Sequence, residues 1–132
     1  METEASRKLV LDYQAAQAAG DAAAIQRILA DDVEWIPPAS APVEGARGRD
    51  AVLAALAGAG ARFFDLPTMK SEVHKIIAEG DTVVIQTRMQ CKAVNGRDYS
   101  NEYVWVYTCA GGQIVRMQEY ADTLRFQQIV LD

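Results

Sequence analysis

Histidine is nearly absent from this 132-residue chain: His74 stands alone, accompanied by only two cysteines, Cys91 and Cys109. Zinc sites of the finger type need four clustered Cys or His ligands, so that class is excluded. No apolar run approaches the roughly 20 residues of a membrane span. The opening stretch METEASRKL lacks the apolar core of an export signal, so a cytoplasmic, reducing setting is expected. Positive charge is also scarce, with 13 Lys+Arg against 18 Asp+Glu and a net charge of −5. Nucleic acid and anionic membrane both favour a Lys/Arg face, and neither is expected as a partner. Whatever chemistry the chain performs near neutral pH must run on few titratable groups, with no metal or cofactor motif to assist.

What the chain has in quantity is apolar residues, half of the total. At this length that composition reads as one globular domain over 1–132, burying roughly two-thirds of its unfolded surface. Residues from about 5 to 19 place Leu9, Tyr13, Ala16 and Gln17 at helical spacing, with Gly20 as a stop. Asp21 is placed to cap a second, shorter helix carrying Ile25, Ile28 and Leu29. Val33–Ile36 reads as a short strand closed by Pro37-Pro38, and the stretch to Gly48 as a loop. Asp50 is expected to cap a third helix, with Val52, Leu53 and Leu56 inward, fading at Gly58 and Gly60.

From about Met69 the period changes to two. Strands are expected at 69–79, 82–93, 99–109 and 113–122, separated by Gly80-Asp81, Asn95-Gly96 and Gly111-Gly112. These dipeptides close tight hairpins because they accept positive φ at little cost. A last helix follows Thr123. Helices first and an antiparallel meander afterwards is the α+β signature, with the helices on one face of the sheet.

Two-residue turns at Asn95-Gly96 and Gly111-Gly112 would set Gln90 opposite Asn101, Arg88 opposite Tyr103, and Tyr103 opposite Tyr120. Opposed residues share a face. Gln86, Arg88, Gln90, Asn101, Tyr103, Trp105, Gln118, Tyr120 and Asp122 then form one aromatic and polar face. Val83, Ile85, Thr87, Met89, Cys91, Val104, Val106, Val115 and Met117 form the other, with Glu102 and Glu119 as exceptions. Cys91 and Cys109 fall on opposite faces in this register, against a disulfide. Neither face reads as plain solvated surface. Either the aromatic face lines a pocket and the aliphatic face meets a second subunit, or the aliphatic face is the helix-packed core.

In the pocket arrangement Asp122 is the leading acid/base, a carboxylate among Tyr103, Trp105 and Tyr120. Its alternative role is the cap of the last helix. Arg88 would orient Asp122, hold an anionic substrate group, or simply neutralise a buried charge. His74 is a possible second acid/base, its face depending on the length of the Gly80-Asp81 turn. Gln90, Asn101, Tyr103 and Tyr120 would contact substrate, and Trp35 and Trp105 would form pocket walls.

The order Gly20-Asp21, Asp32-Val33-Glu34-Trp35, Gly48-Arg49-Asp50-Ala51-Val52 resembles the nuclear transport factor 2-like superfamily. So do Ala78-Glu79-Gly80-Asp81-Thr82-Val83, Asn101-Glu102-Tyr103, Gly112-Gln113-Ile114 and the closing Glu119-Tyr120-Ala121-Asp122. The nearest branch resembles the SnoaL-like polyketide cyclases, with ketosteroid isomerase-like and limonene epoxide hydrolase-like proteins beside it. That resemblance implies a cone-shaped curved antiparallel sheet packed against three N-terminal helices, plus a short C-terminal helix. It also implies a homodimer through the outer sheet face. In the cyclases an Asp on the last strand is the acid/base, and Asp122 matches it. The epoxide hydrolase pattern is matched at Arg88 and Asp122, but Gln90, Trp35 and Pro37 replace its Asp, Tyr and Asn. Those groups would activate the attacking water, and their loss argues against epoxide hydrolysis. The expected function is therefore cofactor-independent acid/base catalysis on a small apolar, carbonyl-bearing ligand, as isomerase, cyclase or dehydratase. A non-catalytic hydrophobic-ligand-binding module is the alternative.

Overall fold

Ser6, Val10, Tyr13 and Ala16 recur at three- and four-residue spacing, and all four turn inward from helix α1, Thr3–Ala19, in the computed structural model of residues 1–132. Gly20 ends this helix in the left-handed region, φ 65°, and its N–H returns to the Gln17 carbonyl. Asp21 caps α2, Ala22–Ile28, as its position suggests, accepting from the Ala24 N–H at 3.1 Å. No helix of the chain is long and apolar enough to cross a membrane.

Strand β1 runs over Leu29–Ile36, earlier than the expected start at Val33, and buries Val33 and Trp35 by alternation. The following loop hides a two-residue strand, β2, Ala46–Arg47, which pairs Ala46 with Trp35. A Cβ on Gly45 would stand 2.4 Å from the Trp35 carbonyl oxygen, so this close return needs glycine. Helix α3, Arg49–Phe63, is capped by Gly48 rather than Asp50 and continues through Gly58 and Gly60. Burial of Val52 and Phe63 near its two ends outweighs the weak propensity of those glycines.

Four long strands complete the sheet: β3, Phe64–Glu79; β4, Thr82–Ala93; β5, Asp98–Ala110; and β6, Gln113–Ala121. The order is β2-β1-β6-β5-β4-β3, antiparallel except where β1 joins β6 in parallel. A short α4, Thr123–Phe126, runs into a wider helical turn over Gln127–Leu131. The architecture is the expected α+β one, a curved sheet with three helices in the N-terminal half of the chain and one short helix after the last strand.

The register differs from the expected one at both edges of β5. The β4–β5 loop has three residues, not two: Gly96 takes the positive φ, 86°, after a turn closed by its N–H to the Ala93 carbonyl. Asn95 sets the loop length by bonding, through Nδ2, the carbonyls of Ile129 and Val130. Gly111-Gly112 does form the expected two-residue turn, but a bulge at Val115 of β6, opposite Thr108–Cys109, shifts all pairs beyond it by one. Both shifts turn β5 over relative to its neighbours. Ile85 therefore faces Trp105, Thr87 faces Tyr103, and Trp105 faces Glu119. The aromatic and polar face anticipated from ideal turns does not exist as a unit.

Candidate functional site

The helix-covered face of the sheet lines a cavity of about 940 Å³ that opens to solvent, within the upper range of small-molecule sites. The core splits around it. Val10, Tyr13, Val33, Trp35, Val83 and Tyr107 pack on one side, and Phe63, Met89, Cys91, Tyr99 and Val130 on the other. Cys91 and Cys109 both lie on this inner side but in different clusters, as free thiols. The cavity wall is largely apolar and aromatic, including Trp35, Leu56, Phe63, Tyr103 and Trp105.

One ionisable carboxyl interrupts that wall. Glu119 projects into the cavity from β6, and no Lys, Arg, His or Asp lines the space with it. Burial pushes its pKa up to about 7, partly offset by the Trp35 indole, which donates to Oε1 at 3.1 Å. Trp35 is 3% exposed, so that donor is fixed in place. The carboxyl makes no other hydrogen bond within the protein and no ion pair. A group poised near neutrality, desolvated and free on one side, is suited to taking up and returning a proton.

Hydroxyls line the cavity as well. Tyr107 receives a bond from Gln14 Nε2 at 2.9 Å, and Tyr13 from Gln17 Nε2 at 3.0 Å. Tyr103 meets the Tyr99 hydroxyl at 2.7 Å, and Tyr99 in turn accepts from Asn101 Nδ2 at 2.8 Å. Burial raises the pKa of Tyr13, Tyr103 and Tyr107, so all three are neutral hydrogen-bonding groups.

Of the residues singled out from sequence, Trp35, Tyr103 and Trp105 line the cavity. Asn101 is buried behind Tyr103 rather than in the wall. Asp122 was expected among aromatics on the pocket face, but it is exposed at the end of β6. Its Oδ1 accepts from the Arg125 N–H at 3.0 Å, capping α4, the alternative role foreseen for it. Arg88 lies on the outer face, paired at 3.1 Å with Glu102 and not with Asp122. Gln90 is exposed on that face opposite Ser100, and Tyr120 is 50% exposed opposite Val104. The Gly80-Asp81 turn has two residues, but a bulge between Val73 and Lys75 makes His74 the extra one. Its ring faces outward, 3.6 Å from Glu72 and 3.9 Å from Glu102.

The residue missed was Glu119. It stood out in the pattern only as one of two exceptions, with Glu102, on the aliphatic face, and the register of β5 separates the two, sending Glu102 outside beside Arg88 and leaving Glu119 inside beside Trp105.

The family model described as SnoaL-like domain matches residues 10–117. A nuclear transport factor 2-like protein of unknown function from Burkholderia pseudomallei shares the fold with a TM-score of 0.84. It is 22% identical, over 97% of this chain and 98% of that one. A protein assigned as a SnoaL-like polyketide cyclase, from Jannaschia sp., gives 0.83 at 19% identity over 97% and 92%. TerC, crystallised with polyporic acid, gives 0.82 at 20% identity over 97% and 99%. Identities this low establish the fold alone. Among curated proteins no sequence matches the chain.

Proposed function

The chain belongs to the SnoaL-like domain family, and on that footing we propose that it is a cofactor-independent acid/base enzyme acting on a neutral, carbonyl-bearing apolar ligand, with Glu119 as the proton-transferring group. The observation that carries this is the single carboxyl, pKa about 7, in a largely apolar and aromatic wall that holds no other charged group. In the proposed step the Glu119 carboxylate takes a proton from the carbon beside the ligand's carbonyl. The C–H electron pair becomes the enolate double bond, and the carbonyl oxygen takes the charge beside the Tyr103 hydroxyl. Returning the proton to another carbon is isomerisation; attack of the enolate carbon on a second carbonyl is aldol ring closure. One aligned donor to such an oxygen is worth about 3–4 kcal/mol.

The wall holds no cation to receive a carboxylate or phosphate, which supports an uncharged ligand. Arg88 and Asp122, the two matches to the epoxide hydrolase pattern, point away from the cavity, so that chemistry gains no support. The outer face carries Val104 and Val106, partly buried, among Arg88, Glu102 and Tyr120, and we propose it as the surface of a homodimer.

The test is deuterium exchange at the α-carbons of 2-tetralone in heavy water. Wild-type protein is expected to speed exchange above buffer, and Glu119→Gln to abolish the acceleration. Tight binding of 2-tetralone without any acceleration would instead favour the binding-module alternative.

A further inference from the structure

Tyr99, Asn101 and Tyr103 occupy three successive inward positions of β5, and their hydrogen bonds form one chain that ends at the cavity. Counting donors and acceptors along the chain fixes its direction. The Asn101 side chain cannot be turned over: its Oδ1 accepts the Glu102 N–H at 2.9 Å, while Nδ2 reaches the Asp122 carbonyl at 3.0 Å. Its second Nδ2 hydrogen therefore goes to the Tyr99 oxygen, an acceptor only in that contact. Tyr99 is 2% exposed, does not line the cavity, and has the Tyr103 oxygen as its one remaining partner. If Tyr103 donated to Tyr99, the buried Tyr99 proton would have no acceptor, a loss of about 1–3 kcal/mol. Tyr99 must therefore donate to Tyr103. The Tyr103 proton then has no acceptor in the protein and lies at the cavity wall.

The Tyr99 ring is held in place to do this. Phe64 stacks on it at 5.3 Å, and Phe126 meets it edge-on at 6.1 Å. Each link also polarises the next, because an O–H whose oxygen accepts a bond becomes a better donor.

We propose that Tyr103 is the catalytic hydrogen-bond donor to the ligand's carbonyl oxygen, and that Asn101 and Tyr99 are positioning residues that point its proton into the cavity. This rests on the acid/base reading of the site for its catalytic part, but the direction of the chain does not. It also assigns the carbonyl-oxygen end of the ligand to β5, with Glu119 of neighbouring β6 serving the carbon.

Neutron diffraction from deuterated crystals of the whole chain decides the direction. The expected deuteron on Tyr99 Oη lies between the two tyrosines, and the Tyr103 deuteron points into the cavity. A Tyr103 deuteron directed at Tyr99 overturns the proposal. The second measurement is the infrared carbonyl stretch of bound 2-tetralone. It should move to lower frequency in wild-type protein, move less in Tyr99→Phe, and return to the unbonded value in Tyr103→Phe. An unchanged stretch in Tyr103→Phe overturns the assignment of the carbonyl oxygen. A shifted stretch without deuterium exchange would uphold Tyr103 as the carbonyl donor and remove the acid/base reading.

Discussion

The Trp35 indole nitrogen donates to Glu119 Oε1 at 3.1 Å across the β1–β6 seam, and this is the one hydrogen bond the carboxyl makes within the protein. The pair sets the proton affinity of the one carboxyl in the cavity wall. Burial favours the protonated form of Glu119, and the indole bond restores part of its acidity, leaving its pKa at about 7.

Glu119→Gln keeps the size of the side chain and its acceptor for Trp35 but removes the ionisable group. Exchange into 2-tetralone should fall by about 10²–10⁴, the usual contribution of a positioned base, while binding changes little. Exchange rates and equilibrium dialysis with the same compound separate the two effects.

The same residue makes stability depend on pH. Its folded pKa of about 7 lies above the ordinary carboxyl value, so the folded state binds the extra proton between them. Stability is then greatest below pH ~4.3 for this group and is lost as pH rises through about 7. The loss should be on the order of 1–3 kcal/mol, since access to the cavity reduces the fully buried limit. Denaturant unfolding at pH 5 and pH 8 should show this loss in wild type and not in Glu119→Gln, which should be the more stable at pH 8.

Trp35→Phe removes the indole donor from a fully buried position. Glu119 loses the bond that favours its charged form, so its pKa should rise further and the pH midpoint of exchange should move upward. The unpaired carboxyl and the lost volume should together cost roughly 2–4 kcal/mol of stability. A pH–rate profile and a denaturation curve read the two outcomes.

Asp122→Ala removes the cap of α4. The expected cost is about 1 kcal/mol, with exchange activity kept, because the exposed carboxylate does not face the cavity. Large loss of exchange with intact folding would return Asp122 to the chemistry.

Val104→Lys places a charge at the centre of the outer face. Wild-type protein should sediment as a homodimer and this variant as a monomer, with the cavity unaffected.

Local features were legible from the chain. The Asp21 cap and the Gly111-Gly112 turn each depend on a few adjacent residues, and both stand where the residues suggest. The strands after Met69 were legible because period-two patterning survives small errors in their ends. What failed depends on distant contacts. The length of the Asn95-Gly96 loop is set by bonds to Ile129 and Val130, more than 30 residues away. The bulge at Val115, opposite Thr108–Cys109, has no residue that announces it. One residue of register at each edge of β5 was enough to exchange its faces, bringing Tyr103 and Trp105 to Glu119 and sending Arg88 and Tyr120 outside. His74 left the site through a bulge in β3 in the same way.

If Glu119 is the cavity's acid/base, its own carboxyl must change charge near neutral pH. With the side-chain carboxyls labelled with ¹³C, the Glu119 resonance should titrate with a midpoint near pH 7, and its assignment should be confirmed by its disappearance in Glu119→Gln. A midpoint in the ordinary carboxylate range, near pH 4.3, would mean that Glu119 is not the proton-transferring group.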